Sequence, residues 1–265
     1  MSKKNIIKFS SQHFQDVFIY RNLINQKNNG IFVEIGGNDG ISYSNSLFFE
    51  KYLGFTGMLI EPVPESFEMM KKSRPNCKCF NYCISQTDGL VDFCIPDKCT
   101  MMAGIQKNLP NEFIKKTCEI IQIPSIPFYK ILNKDIYEYI DIFFIDVEGG
   151  ELDVLKTIDW NIKIYLICIE LDGINKEKDE KCRQLLKEKG FTQEVALQMN
   201  AIWINNKNKR KNLYVEKDKK LFTKPTVINK ECINKDGSYI QKHEGFIHII
   251  YNLICEYEKK YRNCS

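Results

Sequence analysis

Histidine is scarce in this chain, with 3 among 265 residues. A histidine-rich metal centre is thereby excluded. His243 and His248 lie near Cys232 and Cys255, but at no paired-ligand spacing, so no metal is expected there. Apolar residues make up 43%, yet no run approaches the roughly 18 to 20 that a membrane-spanning helix needs. The basic start, Lys3 and Lys4, runs into Ser10, Ser11, Gln12, His13 and Gln15 rather than an apolar stretch, so a secretory signal is not expected. The 11 cysteines, an odd number, are then expected to be free thiols in a reducing, cytoplasmic setting. Internal repeats and low-complexity linkers are also missing.

Charge is nearly balanced, 38 basic against 34 acidic residues, and a net +4 implies neither nucleic acid nor membrane as a partner. The balance is uneven along the chain. Residues 205–265 hold 14 Lys and Arg against 7 acids, which leaves the preceding residues slightly acidic. Eight of those basic residues fall within 207–224, with Tyr214 and Phe222 interleaved, the composition of an RNA-contacting segment. Lysine dominates there and the rest of the chain is acidic, so nucleic acid is the weaker expectation.

Short apolar runs alternate with helix-spaced segments. Residues 31–35, 57–62, 79–84, 140–147, 164–171, 191–197 and 201–204 read as strands, and 47–53, 65–73, 151–158 and 176–189 as helices. Val91 to Ile95 suggests a short strand or hairpin. Residues 97–127, with prolines at 110, 124 and 127, read as irregular. The alternation predicts an α/β fold with a mostly parallel sheet and helices on both faces. It divides the chain into an N-terminal cap over 1–30, a domain over 31–206 and a basic extension over 207–265.

Such sheets bind ligands at the C-terminal ends of their strands. There the sequence places Glu34-Ile35-Gly36-Gly37-Asn38-Asp39-Gly40, and Glu61 follows Gly40 at the end of the next strand. A turn of glycines followed by an acid at this distance suits a nucleoside, whose ribose hydroxyls a carboxylate accepts. The loop is not Gly-x-Gly-x-x-Gly, and acids at Glu34 and Asp39 repel a pyrophosphate while attracting ammonium and sulfonium. S-adenosylmethionine fits better than a nicotinamide dinucleotide. Asp146 and Glu148, two apart at the end of a strand, point to one face as a candidate base pair. With Glu170 or Asp172 they also offer hard oxygen ligands to Mg²⁺, which nothing in the sequence requires.

In these residues the chain resembles the FkbM family of S-adenosylmethionine-dependent methyltransferases. The matching stretches are residues 11–16, 30–40, 44–46 and 57–62, Arg74-Pro75, Ile145-Asp146-Val147-Glu148-Gly149-Gly150-Glu151-Leu152-Asp153-Val154-Leu155 and residues 200–204. The resemblance implies a class I methyltransferase fold of seven strands with the last antiparallel, and O-methylation of a hydroxyl on a sugar or glycoconjugate. Expected cofactor contacts are Glu34, Gly36, Asn38, Asp39, Gly40, Glu61, Ser85 and Asp146. Ser85 is placed at the end of the third strand, beside the adenine. Asp146, Glu148 and, more remotely, His13 are the candidates for the base. The expected partner is a small-molecule or glycan acceptor, and an RNA-modifying methyltransferase is the alternative.

Overall fold

Ile31-Phe32-Val33-Glu34-Ile35 is buried on both faces, as a strand in the middle of a parallel sheet must be. Around it the computed structural model describes residues 9–24, 29–96, 99–114, 118–132 and 137–207. In chain order the elements are α1 (Gln15–Asn22), β1 (Ile31–Ile35), α2 (Leu47–Leu53), β2 (Thr56–Ile60), α3 (Pro64–Ser73), β3 (Lys78–Phe80), β4 (Cys83–Ile84) and β5 (Gly89–Pro96). They continue with β6 (Gly104–Ile105), α4 (Asn111–Ile114), β7 (Cys118–Ile126), α5 (Phe128–Ile131), β8 (Tyr139–Ile145) and α6 (Glu151–Lys156). The last are β9 (Lys163–Glu170), α7 (Lys176–Glu188), β10 (Phe191–Leu197) and β11 (Asn200–Asn205). Among the described residues no helix is long and apolar enough to cross a membrane.

Seven strands form the main sheet in the order β3-β2-β1-β8-β9-β11-β10. All neighbours are parallel except β11, which runs against both β9 and β10. This is the strand order of the class I methyltransferase fold. From β1 the chain first builds outward through β2 and β3, then returns to place β8 on the other side of β1. The crevice of the sheet therefore opens between the C-terminal ends of β1 and β8.

Strand alternation distributes the core over both faces. Val33, Ile35, Phe143, Ile145, Ile167 and Ile169 face one side, where Val154 and Leu155 of α6 and Cys182 and Leu186 of α7 cover them. Phe32, Ile142, Phe144 and Leu166 face the other, under Phe18 and Ile19 of α1, Phe48 and Phe49 of α2 and Met70 of α3. Phe128 of α5 packs on Phe143 with ring centroids 5.0 Å apart. Neither α1 nor α5 is evident from the periodicity.

Several expectations are corrected. The strand expected over 79–84 divides: β3 ends at Phe80, and β4 joins a second sheet in the order β4-β7-β5-β6. The stretch 97–127 is not irregular throughout, since β7 pairs with β5 from Cys118 to Ser125. Pro124 is tolerated there because β4 covers the far side of β7 only at Ser125 and Ile126, which leaves the proline at an open edge. The cysteines are not all free thiols: Cys94 and Cys118 are disulfide-bonded across β5 and β7, their Cα atoms 5.8 Å apart. Cys77, Cys79, Cys83, Cys99, Cys168 and Cys182 are free. The basic segment from residue 208 on, with His243, His248, Cys232 and Cys255, lies outside the described residues.

Phe143 is fully buried at the centre of the main sheet. Truncation to alanine is expected to cost about 3–5 kcal/mol in urea denaturation, whereas Leu90→Ser on the exposed second sheet is expected to change stability by less than about 0.5 kcal/mol.

Candidate active site

Three strand ends converge on the glycine turn. The Gly36 and Gly37 amides both donate to the Ile60 carbonyl at the end of β2, at 2.9 and 3.1 Å, and the Asp146 amide donates to the Ile35 carbonyl at 3.2 Å. Gly36 has φ +88°, and a Cβ there would lie 1.8 Å from the Asp146 carbonyl oxygen. Only glycine permits that approach. Gly40, at φ +81°, is equally constrained: its Cβ would meet Ser73 Oγ at 2.6 Å and Arg74 Cγ at 2.8 Å. Both glycines thus make room for neighbouring protein.

Glu61 follows β2 and is 5% exposed. Its two carboxylate oxygens accept from the Asn38 and Val63 amides, each at 2.8 Å. Burial outweighs these bonds and pushes its acid up to about 7. Asn38, at φ 44°, also accepts from Thr100 Oγ at 3.2 Å, which docks the connection between β5 and β6 onto the turn. Asp39 accepts from the Ile41 amide at 2.8 Å and from the Ser42 amide and hydroxyl at 2.6 Å. Partial burial raises its acid, but these bonds outweigh it and hold the group below the usual aspartate value. Glu34 is buried and turned towards α2: it accepts from the Ser44 hydroxyl at 2.9 Å, the Asn45 amide at 2.7 Å and the Ser46 hydroxyl.

Beyond β8 lies a cluster of acids. Ligand oxygens of Asp146, Glu148 and Glu170 all fall within 4.8 Å of one another, close enough to share a cation or protons. Asp146 and Glu170 are hydrogen-bonded; desolvation and the charge of Glu151 raise Asp146 against the lowering effect of that bond, while desolvation and the charges of Asp146, Glu148 and Glu151 raise Glu170 further. Glu148 is raised to about 8 by desolvation and by the charges of Asp146, Glu151 and Asp172. It sits at φ 49°, a left-handed conformation that a non-glycine residue adopts only when its surroundings impose it. Those surroundings are visible: Gly104 packs on the Glu148 carbonyl, Gly149 on that of Asn108, and Glu151 accepts from the Val147 and Gly149 amides at 3.4 and 3.1 Å. Lys178 of α7 holds Glu151 in a buried ion pair.

The structure therefore gathers Gly36, Asn38, Gly40, Glu61, Asp146 and Glu148 at the ends of β1, β2 and β8, with Asp39 half-buried beside them; the expected cofactor contact Glu34 is instead turned under α2, its oxygens taken by Ser44, Asn45 and Ser46. Ser85 is a correction. It lies beyond β4 rather than at the end of the third strand, and its hydroxyl is engaged by Ser125 Oγ at 2.6 Å and the Thr87 carbonyl at 3.0 Å. His13 is buried in the turn before α1, a segment tied to the site loop by Ser10 Oγ donating to the Ser44 carbonyl at 2.7 Å. Sequence reasoning missed Lys178 and Thr100, which reach the site from elements far along the chain and carry no local signal.

Residues 34–192 match the model of the methyltransferase FkbM domain. The chain belongs to that family. The match opens at Glu34 and includes the glycine turn, Glu61 and the Asp146–Glu151 turn, so FkbM-domain residues build the whole crevice. No curated protein matches the chain. Among solved structures it is similar to the methyltransferase FkbM of Methylobacillus flagellatus KT at 12% identity and a TM-score of 0.43, over 68% of this chain and 44% of that one. The chain thus spans less than half of that protein. It is also similar to precorrin-6y C5,15-methyltransferase of Geobacter metallireducens GS-15 at 13% identity and a TM-score of 0.41, over 77% and 90% of the two chains. A third likeness is to Aeropyrum pernix fibrillarin with natively bound S-adenosyl-L-methionine, at 11% identity and a TM-score of 0.40, over 68% and 67%.

Two outcomes are expected. Glu61 and Glu148 keep their protons to higher pH when folded than when unfolded, so the stability they contribute is full below about pH 4.5 and is lost as pH rises through 7 and 8. Urea midpoints should fall from pH 5 to 8, and Glu61→Gln should remove on the order of 3 kcal/mol of that change. Lys178→Met, which strands buried Glu151, should cost about 3–5 kcal/mol in the same assay.

Proposed function

We propose that this FkbM-family protein is an S-adenosylmethionine-dependent O-methyltransferase acting on a hydroxyl of a sugar or glycoconjugate. The observation that carries the reading is Glu148, a carboxylate held in a strained conformation beside Asp146 at the switch point of the sheet. The cleft suits the cofactor. Each oxygen of Glu61 spends one acceptor site on a backbone amide and keeps another for a ribose hydroxyl. The neighbouring carboxylates favour a ligand that carries ammonium and sulfonium charges.

When bound, S-adenosylmethionine supplies an electrophilic methyl group. The chain must then align the acceptor oxygen and take its proton. Glu148, in its ionised form, accepts the hydroxyl proton. Asp146, hydrogen-bonded to Glu170, orients the acceptor by accepting from a neighbouring polar group on it. Because Glu148 releases its proton only near pH 8, turnover rises with pH up to that region.

Calorimetry should detect S-adenosylmethionine binding, and Glu61→Ala should weaken it at least about tenfold, the loss of one or two charge-assisted bonds. Unchanged binding in that variant removes the cofactor reading. Glycans from cells with and without the active protein, compared by mass spectrometry, should differ by a methyl group. The ascending limb of the pH–rate profile should vanish in Glu148→Gln; its persistence assigns the base elsewhere.

A further inference from the structure

A buried positive charge supports the glycine turn from behind. Arg74 directly follows α3 and is 1% exposed, among the largest fully buried side chains. Burial of a guanidinium requires that its donors be matched. One terminal nitrogen donates to the Gly40 carbonyl at 2.9 Å and to Ser44 Oγ at 3.1 Å, and the other donates to Ser46 Oγ at 3.0 Å. Nε pairs with Glu50 of α2, and the plane lies 5.6 Å from the centroid of Phe32 in β1. The preceding residue grips the same loop, with Ser73 Oγ donating to the Asp39 carbonyl at 2.7 Å.

These contacts form one circuit. The two hydroxyls that accept from Arg74 are the ones that donate to Glu34. Positive charge on α3 and negative charge on β1 are thus joined through Ser44 and Ser46, and both ends of the loop 40–46 are clamped between them. Gly40 is required because Arg74 and Ser73 lie where its side chain would be.

We propose that Arg74 is the positioning residue of the cofactor loop: its fork fixes the Gly40 carbonyl and the Ser44 and Ser46 hydroxyls, and so sets the shape of the turn that receives S-adenosylmethionine. The inference rests on the cofactor reading above. Lysine cannot substitute, because one ammonium does not span three acceptors in a plane.

The full-length protein is titrated with S-adenosylmethionine and, separately, with S-adenosylhomocysteine by calorimetry. Arg74→Lys is expected to weaken both at least about tenfold, and Glu50→Gln, which loosens the anchor while leaving the guanidinium, about threefold. Millimolar guanidinium chloride should restore affinity to Arg74→Ala, while equal sodium chloride should not; a merely structural residue gives no such recovery. Affinities equal to wild type in both Arg74→Lys and Glu50→Gln overturn the inference, even if their melting temperatures fall. Should Arg74→Ala not fold, those two variants decide alone. Absence of binding by the wild-type protein overturns the cofactor reading itself, and this inference with it.

Discussion

The contact between Gly36 and the Asp146 carbonyl is the constraint from which the rest of the site follows. At 1.8 Å from a would-be Cβ, it brings the ends of β1 and β8 together so closely that the turn after β1 must bend away over β2. Bending over β2 puts the Asn38 amide on Glu61, and the same strand end gives Ile60 two donors. Without that approach the two halves of the sheet would still pair, but the glycine turn and the acid cluster would not share one crevice.

Two ion pairs, one half-buried at Glu50 and one buried, support the crevice from opposite sides. Arg74 with Glu50 braces the glycine turn through α2 and α3. Lys178 with Glu151 braces the acidic turn through α6 and α7. Buried pairs of this kind add little net stability over apolar packing, and their value is in specifying one arrangement. That fits a site in which Glu148 sits at a positive φ and several carboxylates stand close together. Unfavourable geometry of that sort persists only where the surrounding structure over-determines it.

Much of this was legible in the residues. Gly36, Gly40 and Glu61 announce the crevice because strand punctuation by glycine is a local signal. Asp146 and Glu148 were expected on one face of a strand over 140–147, but β8 ends at Ile145 and Glu148 reaches the site on a turn at φ 49°. The second sheet was not legible. β7 contains Pro124 and pairs with a β5 that lies well before it in the chain, so neither periodicity nor composition marks it. Ser85 was misplaced for the same reason, since the break after Phe80 depends on what β4 pairs with and not on its own sequence.

By itself the sequence determined the strands of the main sheet and the helices α2, α3, α6 and α7 in their order, the residues of the glycine turn and the presence of paired acids. These depend on neighbours a few residues apart. The tertiary structure alone decided which way each carboxylate turns. Glu34 faces Ser44 and Ser46 because α2 lies over β1, and the Glu170 acid is raised because β9 ends beside β8, where burial and the charge of Asp146 meet it. It also decided that Arg74 and Lys178 are buried, since desolvation and pairing depend on elements that meet only when the chain has folded.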